Sequence, residues 1–242
     1  MIPFPWWMLI SLLGGPIVGA GLVAFYSKYK GFKNIKRIAI HGAPGVGKTV
    51  LWNYLQRGKI PDHPPEATSR RTTKGKTTNF VHKIKIEHGD DIGGGKYFIN
   101  DQEENIKNKK NDLILYLFKM DQNGKPSSPE VLARDGENLY RWLDGQKKRP
   151  VIVIVGTHCD LDLDFPNIFG DGASLVKEKS IKNLEKRYQD YFEKKSISPS
   201  IQNLRIQLGG TDVVDLVFGS LKSNDHAFFT VLEITRSLWR EK

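Results

Sequence analysis

Cysteine is almost absent from this sequence, in which Cys159 is the only one among 242 residues. A single thiol cannot form a disulfide within the chain, so a reducing compartment is permitted. The six histidines lack the close spacing of a zinc site, which argues against a zinc cluster. Internal repeats and low-complexity tracts are absent too. At 242 residues, the chain is long enough for one ordinary hydrophobic core plus an appendage.

Charged side chains are missing from the run between Trp6 and Tyr26. About 20 apolar residues are enough for a helix that crosses a bilayer core of roughly 30 Å. Trp6, Trp7 and Tyr26 lie at the two ends of the run, where aromatic rings favour the boundary between lipid and water. We therefore expect residues 1–27 to form a transmembrane anchor.

The charges that flank this run distinguish an anchor from a cleaved signal peptide or a buried core helix. A signal peptide carries positive charge before its apolar part, whereas here the basic residues follow it, in the linker 28–36. A core helix of this length would show a polar stripe, and the run offers only Ser11. By the positive-inside rule, the N-terminus faces out and residues 37–242 form a cytoplasmic domain.

A glycine-rich loop follows directly, with the sequence GAPGVGKT from Gly42 to Thr49. It fits G-x-x-x-x-G-K-[ST], between an apolar strand at Ile38–Ile40 and a helical pattern at Val50–Gln56. In such a loop the backbone amides enclose phosphates, Lys48 neutralises the outer phosphoryl oxygens, and the Thr49 hydroxyl binds Mg²⁺. The predicted nucleotide-binding residues here are Gly42, Ala43, Pro44, Gly45, Val46, Gly47, Lys48, Thr49 and Val50.

A second motif lies at the end of the apolar run Val151–Val155, where the chain reads Thr157, His158, Cys159, Asp160. This run resembles the fourth motif of the Ras-like small GTPases, [NT]-K-x-D. The resemblance implies that Asp160 accepts hydrogen bonds from N1 and N2 of guanine, a pattern that adenine lacks. Histidine replaces the lysine at 158, and its ring is expected to stack on the purine.

The third motif of that family is D-x-x-G, which matches Asp91 to Gly94. By resemblance, Asp91 holds Mg²⁺ through water and the Gly94 amide meets the terminal phosphate. The form D-x-G-G is similar to the Arf branch and its relative, the signal recognition particle receptor beta subunit. Gly95 stands where that branch has a water-orienting glutamine, so we expect slow intrinsic hydrolysis. Gln102 is the nearest glutamine downstream.

A competing alignment makes Tyr97–Asn100 the strand and Asp101 the magnesium residue. Leu113 begins the next apolar strand, and only the longer spacing from Asp91 leaves room for a helix in between. We therefore prefer Asp91.

The remaining two motifs are less specific. The second is a single threonine, and Thr68 has the spacing from Lys48 and Asp91 that suits the family, where this residue binds Mg²⁺ and takes part in catalysis. Thr72 and Thr73 remain alternatives. The fifth motif, S-A-K, is matched loosely by Gly219 to Lys222, which implies that Ser220 and Leu221 contact the guanine.

The rest of the chain predicts the frame around these motifs. Leu113–Phe118 is a continuous apolar run, and Ser128 with Pro129 opens a helix that reaches Leu143. Segment 162–210 exceeds the minimal fold, with an amphipathic helix from Ser174 to Lys194 and an added strand near Leu204–Leu208. The expected fold is α/β, a mostly parallel P-loop NTPase sheet with helices on both faces.

The predicted function is a membrane-anchored GTP-binding switch that binds GTP or GDP with Mg²⁺ and hydrolyses GTP slowly. A cytosolic effector or activator is its expected partner. The net charge of +10 suits a membrane surface or nucleic acid, but no nucleic-acid motif supports the latter. The alternatives are a GTP-holding membrane receptor that does not cycle, and a P-loop ATPase.

Overall fold

The computed structural model describes residues 33–62, 79–81, 84–91, 93, 98–166, 178–210 and 213–239. The predicted transmembrane segment 1–27 and most of the linker lie outside these ranges, as do Thr68, Thr72, Thr73, Gly94 and Gly95. None of the helices in the described ranges combines the length and the apolar character that a membrane span requires.

The described residues form six strands and six α-helices. The strands are β1 Lys33–Gly42, β2 Asn79–Val81, β3 Ile84–Asp91, β4 Leu113–Lys119, β5 Val151–Thr157 and β6 Val214–Phe218. The helices are α1 Lys48–Arg57, α2 Ile99–Asn108, α3 Pro129–Leu143, α4 Glu178–Ser196, α5 Pro199–Gln207 and α6 Asn224–Trp239. A short 3₁₀ turn spans Cys159–Leu161.

All six strands belong to one sheet, in the order β2-β3-β1-β4-β5-β6. Strands β3, β1, β4, β5 and β6 are mutually parallel, and β2 runs antiparallel to β3 at one edge. The structure confirms the predicted α/β fold with a mostly parallel sheet.

Strands β4 and β5 are buried on both faces, as their unbroken apolar runs predict. Along β4 the side chains alternate: Ile114, Tyr116 and Phe118 pack against α2, α3, α4 and α5, together with Phe229 of α6. Their neighbours Leu113, Leu115 and Leu117 pack against α1 and α6 on the opposite face. The prediction of helices on both faces is confirmed.

Helix α5 corrects one prediction, because the segment expected to form a strand near Leu204–Leu208 is helical. Ile201, Leu204 and Leu208 are buried at spacings of three and four residues, which suits one face of a helix. Pro199 occupies the first turn, where a missing N–H costs nothing. Helix α5 packs closely on α3, since a Cβ at Gly136 would lie 2.4 Å from Leu204 Cδ1.

Other predicted boundaries shift by a few residues. Strand β1 begins at Lys33, so the end of the predicted linker 28–36 belongs to the sheet. Helix α3 begins at Pro129 and ends at Leu143, as predicted. Helix α4 ends at Ser196, two residues later than expected, and Tyr188 and Tyr191 on it are buried as its amphipathic pattern requires.

Candidate functional site

The predicted site residues meet at the carboxyl edge of the parallel sheet. Glycine 42 ends β1, Asp91 ends β3 and Thr157 ends β5. The strand register pairs Ile40 with Asp91 and Gly42 with Leu117, so these loops leave the sheet side by side. This is the edge at which ligands bind in open α/β sheets.

The loop after β1 requires glycine at two positions. Gly42 has a φ of 138°, and a Cβ there would lie 2.1 Å from the Leu117 carbonyl oxygen of β4. Gly47 has a φ of 91°, and its Cβ would lie 2.7 Å from Leu221 Cδ1. The loop passes close to β4 at Gly42 and to Leu221 at Gly47, so only glycine fits both places. Helix α1 begins directly after the loop.

Lys48 is buried at the start of α1 and turns its side chain back over the loop. Its Nζ donates hydrogen bonds to the carbonyl oxygens of Gly42 at 2.9 Å and Ala43 at 2.7 Å. The first-turn amides of α1 open toward the same loop, at the positive end of the helix dipole. An ammonium group and a helix N-terminus at one place form a site for an anion such as phosphate.

The predicted metal ligands are only partly within the described residues. Thr49 lies in the first turn of α1 and Asp91 at the end of β3, both at the carboxyl edge, whereas Thr68 lies outside the described ranges. Within those ranges, no three His, Cys, Asp or Glu side chains are grouped to hold a metal ion. The predicted protein ligands of a magnesium ion are thus two hydroxyls, of Thr49 and Thr68, and the Asp91 carboxylate, which oxygens of the bound ligand would complete.

The competing alignment does not fit the structure, because Ile99 and Asn100, the last residues of its strand, are helical. Asp101 lies in the first turn of α2, which begins at Ile99, so it does not follow a strand. Strand β3 reaches Asp91 instead, as we preferred. Gln102, on the same helix, donates a hydrogen bond of 2.7 Å from Nε2 to the carbonyl oxygen of Gly93, two residues after the end of β3.

Thr157 connects the loop after β5 with the glycine-rich loop. Its fully buried hydroxyl lies 2.9 Å from the Val46 carbonyl oxygen and 3.0 Å from that of Phe118. The same oxygen lies 3.0 Å from His158 Nδ1. The hydroxyl has one hydrogen, which goes to a carbonyl oxygen, so His158 Nδ1 carries the proton of this contact and Nε2 is left as an acceptor.

His158 is neutral at pH 7. Burial lowers the pKa of its imidazole, the nearby Lys119 cation lowers it further, and Asp160 opposes the shift. The residue has a φ of 61°, an uncommon left-handed conformation for a residue with a side chain. Histidine at this position therefore presents an uncharged ring where the family motif has lysine.

Asp160 is oriented by the loop after β6. The Ser220 hydroxyl donates to Asp160 Oδ1 at 2.5 Å, and Ser220 Oγ accepts from the Lys222 amide at 3.1 Å. Thr230 of α6 holds this loop, because its hydroxyl lies 2.8 Å from the Ser220 carbonyl oxygen and accepts from the Ser220 amide at 3.1 Å. The loops after β5 and β6 thus form one unit.

The backbone joins the same two loops. The Cys159 amide donates to the Gly219 carbonyl oxygen at 3.1 Å, and the Gly219 amide donates to that of Gly156 at 2.8 Å. The loop that holds Asp160 also reaches the glycine-rich loop, because Leu221 approaches Gly47.

Sequence reasoning missed Lys119 and Thr230. Lys119 is the last residue of β4 and pairs in register with Thr157, which brings its charge to His158. Thr230 is a helix residue with no motif around it. Only their spatial neighbours identify them.

Comparison of the chain with protein-family models and with curated protein sequences finds no match. The resemblance to the small GTPases therefore depends on the motifs and on the geometry described above.

Proposed function

We propose that this protein is a membrane-anchored GTP-binding switch with a P-loop NTPase core, similar to the Ras-like small GTPases. The observation that supports this most directly is the Thr157 hydroxyl, 2.9 Å from the Val46 carbonyl oxygen. It ties the loop that would hold the phosphates to the loop that would read the base. A nucleotide needs both at a fixed separation.

In this proposal the phosphates occupy the loop from Gly42 to Gly47. Lys48 exchanges its contacts with the Gly42 and Ala43 carbonyl oxygens for phosphoryl oxygens, which compete well because they are charged. Bound Mg²⁺ would neutralise charge that develops on the γ-phosphate, with Thr49, Thr68 and Asp91 as its proposed protein ligands. Thr49 and Asp91 fit this role in that both lie at the carboxyl edge.

The base is read by Asp160. A carboxylate accepts from both N1–H and the N2 amino group of guanine, and adenine offers no such pair of donors. Ser220 donates to Oδ1 and fixes the plane of the carboxylate. The neutral His158 ring lies beside it and is suited to stack on the purine.

The residue at position 95 bears on whether the proposed switch hydrolyses GTP alone or only with a partner, and here it is Gly95. A residue without a side chain cannot orient the attacking water, so we expect slow hydrolysis until a cytosolic partner supplies that group. The residues 1–27 would hold the domain at the cytoplasmic face of a membrane. A receptor that holds GTP without cycling is the second candidate, and the same glycine favours it.

An exchange of base specificity tests the proposal. Asparagine at 160 keeps one acceptor but offers an N–H, which matches N1–H and the O2 carbonyl of xanthine. We expect Asp160→Asn in the full chain, in detergent micelles, to lose GTP affinity and gain XTP affinity. Asp190→Asn, an exposed change on α4, is the matched control. Unaltered preference in Asp160→Asn contradicts the assignment of Asp160.

Turnover separates the two candidates. We expect Gly95→Gln to raise GTP hydrolysis by the full chain above that of wild type at equal occupancy. GTP that stays intact in both proteins, alone and with added cytosol, supports the non-cycling receptor.

A further inference from the structure

A buried ion pair lies next to the proposed base-reading loop. Lys195, in the last turn of α4, places Nζ 2.6 Å from Asp162 Oδ2, and the two side chains are only 8% and 5% exposed. Charges at such depth are stable only when paired in good geometry. The pair therefore fixes the end of α4 to the segment that follows the 3₁₀ turn Cys159–Leu161.

The surroundings of the pair leave it little freedom. A Cβ at Gly124 would lie 2.0 Å from both Asp162 Oδ2 and Lys195 Nζ, so this glycine packs directly on the two charges. Lys195 Nζ also donates to the Asn123 carbonyl oxygen at 3.3 Å and lies 5.3 Å from the centre of the Tyr191 ring. The ammonium group is enclosed by α4 and by the loop after β4.

Asp162 is directly coupled to the turn that carries Asp160. Its amide donates to the Cys159 carbonyl oxygen at 3.0 Å and closes the 3₁₀ turn. Its Oδ1 accepts from the Asp164 amide at 3.0 Å, and its Oδ2 is the oxygen that lies nearest Lys195 Nζ. A displacement of Asp162 would therefore move the backbone of Asp160.

Helix α4 also contacts the loop on the other side of the base site. Tyr191 packs edge to face with Phe165 at 5.1 Å and with Phe218, the last residue of β6, at 5.8 Å. The Tyr188 hydroxyl donates to the Phe218 carbonyl oxygen at 3.0 Å. The helix thus holds both loops that the proposed function assigns to the guanine.

We propose that Lys195 is a positioning residue for guanine recognition, because its buried pair with Asp162 holds the turn that carries Asp160. This proposal depends on the proposed function, since it concerns the same base site. Lys195 touches no nucleotide itself, and its effect is on where the Asp160 carboxylate lies.

The test compares GTP with ITP, which lacks the N2 amino group that Asp160 would accept from. Both dissociation constants are measured for the full chain in detergent micelles, as wild type and as Lys195→Met. We expect the preference for GTP over ITP to fall about fivefold in Lys195→Met, because a displaced carboxylate loses the N2 contact. Phosphate contacts are common to both nucleotides and cancel in the ratio.

The chain offers a matched control one residue away. Lys194 pairs with Asp164 at 2.5 Å, but these side chains are 63% and 52% exposed. An exposed pair contributes little. Lys194→Met is therefore expected to keep the wild-type ratio.

The double variant Asp162→Asn with Lys195→Met removes both charges and separates positioning from instability. We expect it to unfold at a higher urea concentration than Lys195→Met, since no lone charge stays buried, while the GTP preference stays lowered. If the double variant recovers the wild-type preference for GTP over ITP together with its stability, the proposal is overturned. An unchanged ratio in both variants does the same, whereas a wild-type protein that binds neither nucleotide refutes the proposed function instead.

Discussion

Ser220 and Asp160 lie 60 residues apart in the sequence, yet the serine hydroxyl donates a hydrogen bond of 2.5 Å to the carboxylate. Ser220 is buried and Asp160 is half-buried, so the contact fixes a charged group at the rim of the sheet. Two segments that are far apart in the sequence thereby form one structure with a defined direction for the carboxylate.

Removal of the serine hydroxyl tests this contact. In Ser220→Ala the Asp160 carboxylate loses one donor, and a hydrogen bond to a charged group is worth about 1.5 kcal/mol or more. We expect GTP affinity of the full chain to fall about tenfold, measured by equilibrium titration. Ser237→Ala removes a buried hydroxyl of α6 that donates to the Ile234 carbonyl oxygen, and it should leave GTP affinity unchanged. Equal effects of the two changes would refute a specific role for Ser220.

Thr157 should matter for both stability and nucleotide binding. Thr157→Val keeps the shape but removes the single hydroxyl hydrogen that the Val46 and Phe118 carbonyl oxygens compete for, which costs about 1–2 kcal/mol of unfolding free energy. We also expect faster GTP dissociation, because the two loops are no longer tied. Urea titration and nucleotide release measure these effects.

The control for Thr157 is another buried threonine. Thr235 donates to the Val231 carbonyl oxygen within α6, far from the loops in sequence. Thr235→Val should lower stability without changing GTP release. If both variants release GTP at the same rate, the link between the loops has no functional role.

Acidification should destabilise the fold through two histidines. Burial lowers the pKa of both His158 and His226 below 6.5, so below that pH the unfolded chain binds more protons than the folded one. The free energy of unfolding therefore has its full value above pH 6.5. It decreases as the pH falls from 6.5 toward the pKa values of the two histidines in the folded protein. Asp121 and Asp164, whose pKa values are lowered from 3.8, act only in more acid solution.

The measurement is the urea midpoint at pH 7.5 and pH 5.5. We expect the wild type to lose more stability between the two than a variant with His158→Gln and His226→Gln. If the urea midpoint of the variant falls as much as that of the wild type, the two histidines do not cause the pH dependence of stability.

Cys159 should be inert in the native protein. Its side chain is fully buried and burial raises the pKa of its thiol to about 12, so almost no thiolate exists at pH 8. We expect labelling by an aromatic disulfide reagent only as fast as the protein unfolds. Ser127→Cys, which adds an exposed thiol, should label at once. Rapid labelling of the wild type would contradict the buried position.

The glycine-rich loop, the parallel sheet and the helix that begins at Pro129 were predictable because local chemistry determines them. Glycine at 42 and 47 and lysine at 48 are required by backbone conformation and charge in one short segment. Continuous apolar runs also identified the buried strands, and the alternation of strands and helices along the chain indicated a parallel sheet.

The remaining features depend on contacts between distant segments. The strand predicted near Leu204–Leu208 is the helix α5, because its apolar residues face α3 and the sheet at helical spacing. Thr230 and Lys195 have no local motif, and their roles follow only from partners that the fold brings beside them. No pattern along the chain reports such pairs.

The most direct test of the central claim is equilibrium binding of GTP and ATP, each with Mg²⁺, to the full chain in detergent micelles, with Lys48→Ala as the control. We expect GTP to bind, ATP to compete poorly, and Lys48→Ala to lose GTP binding while keeping its fold by circular dichroism. Absence of GTP binding in the wild type, or equal competition by ATP, would contradict the account.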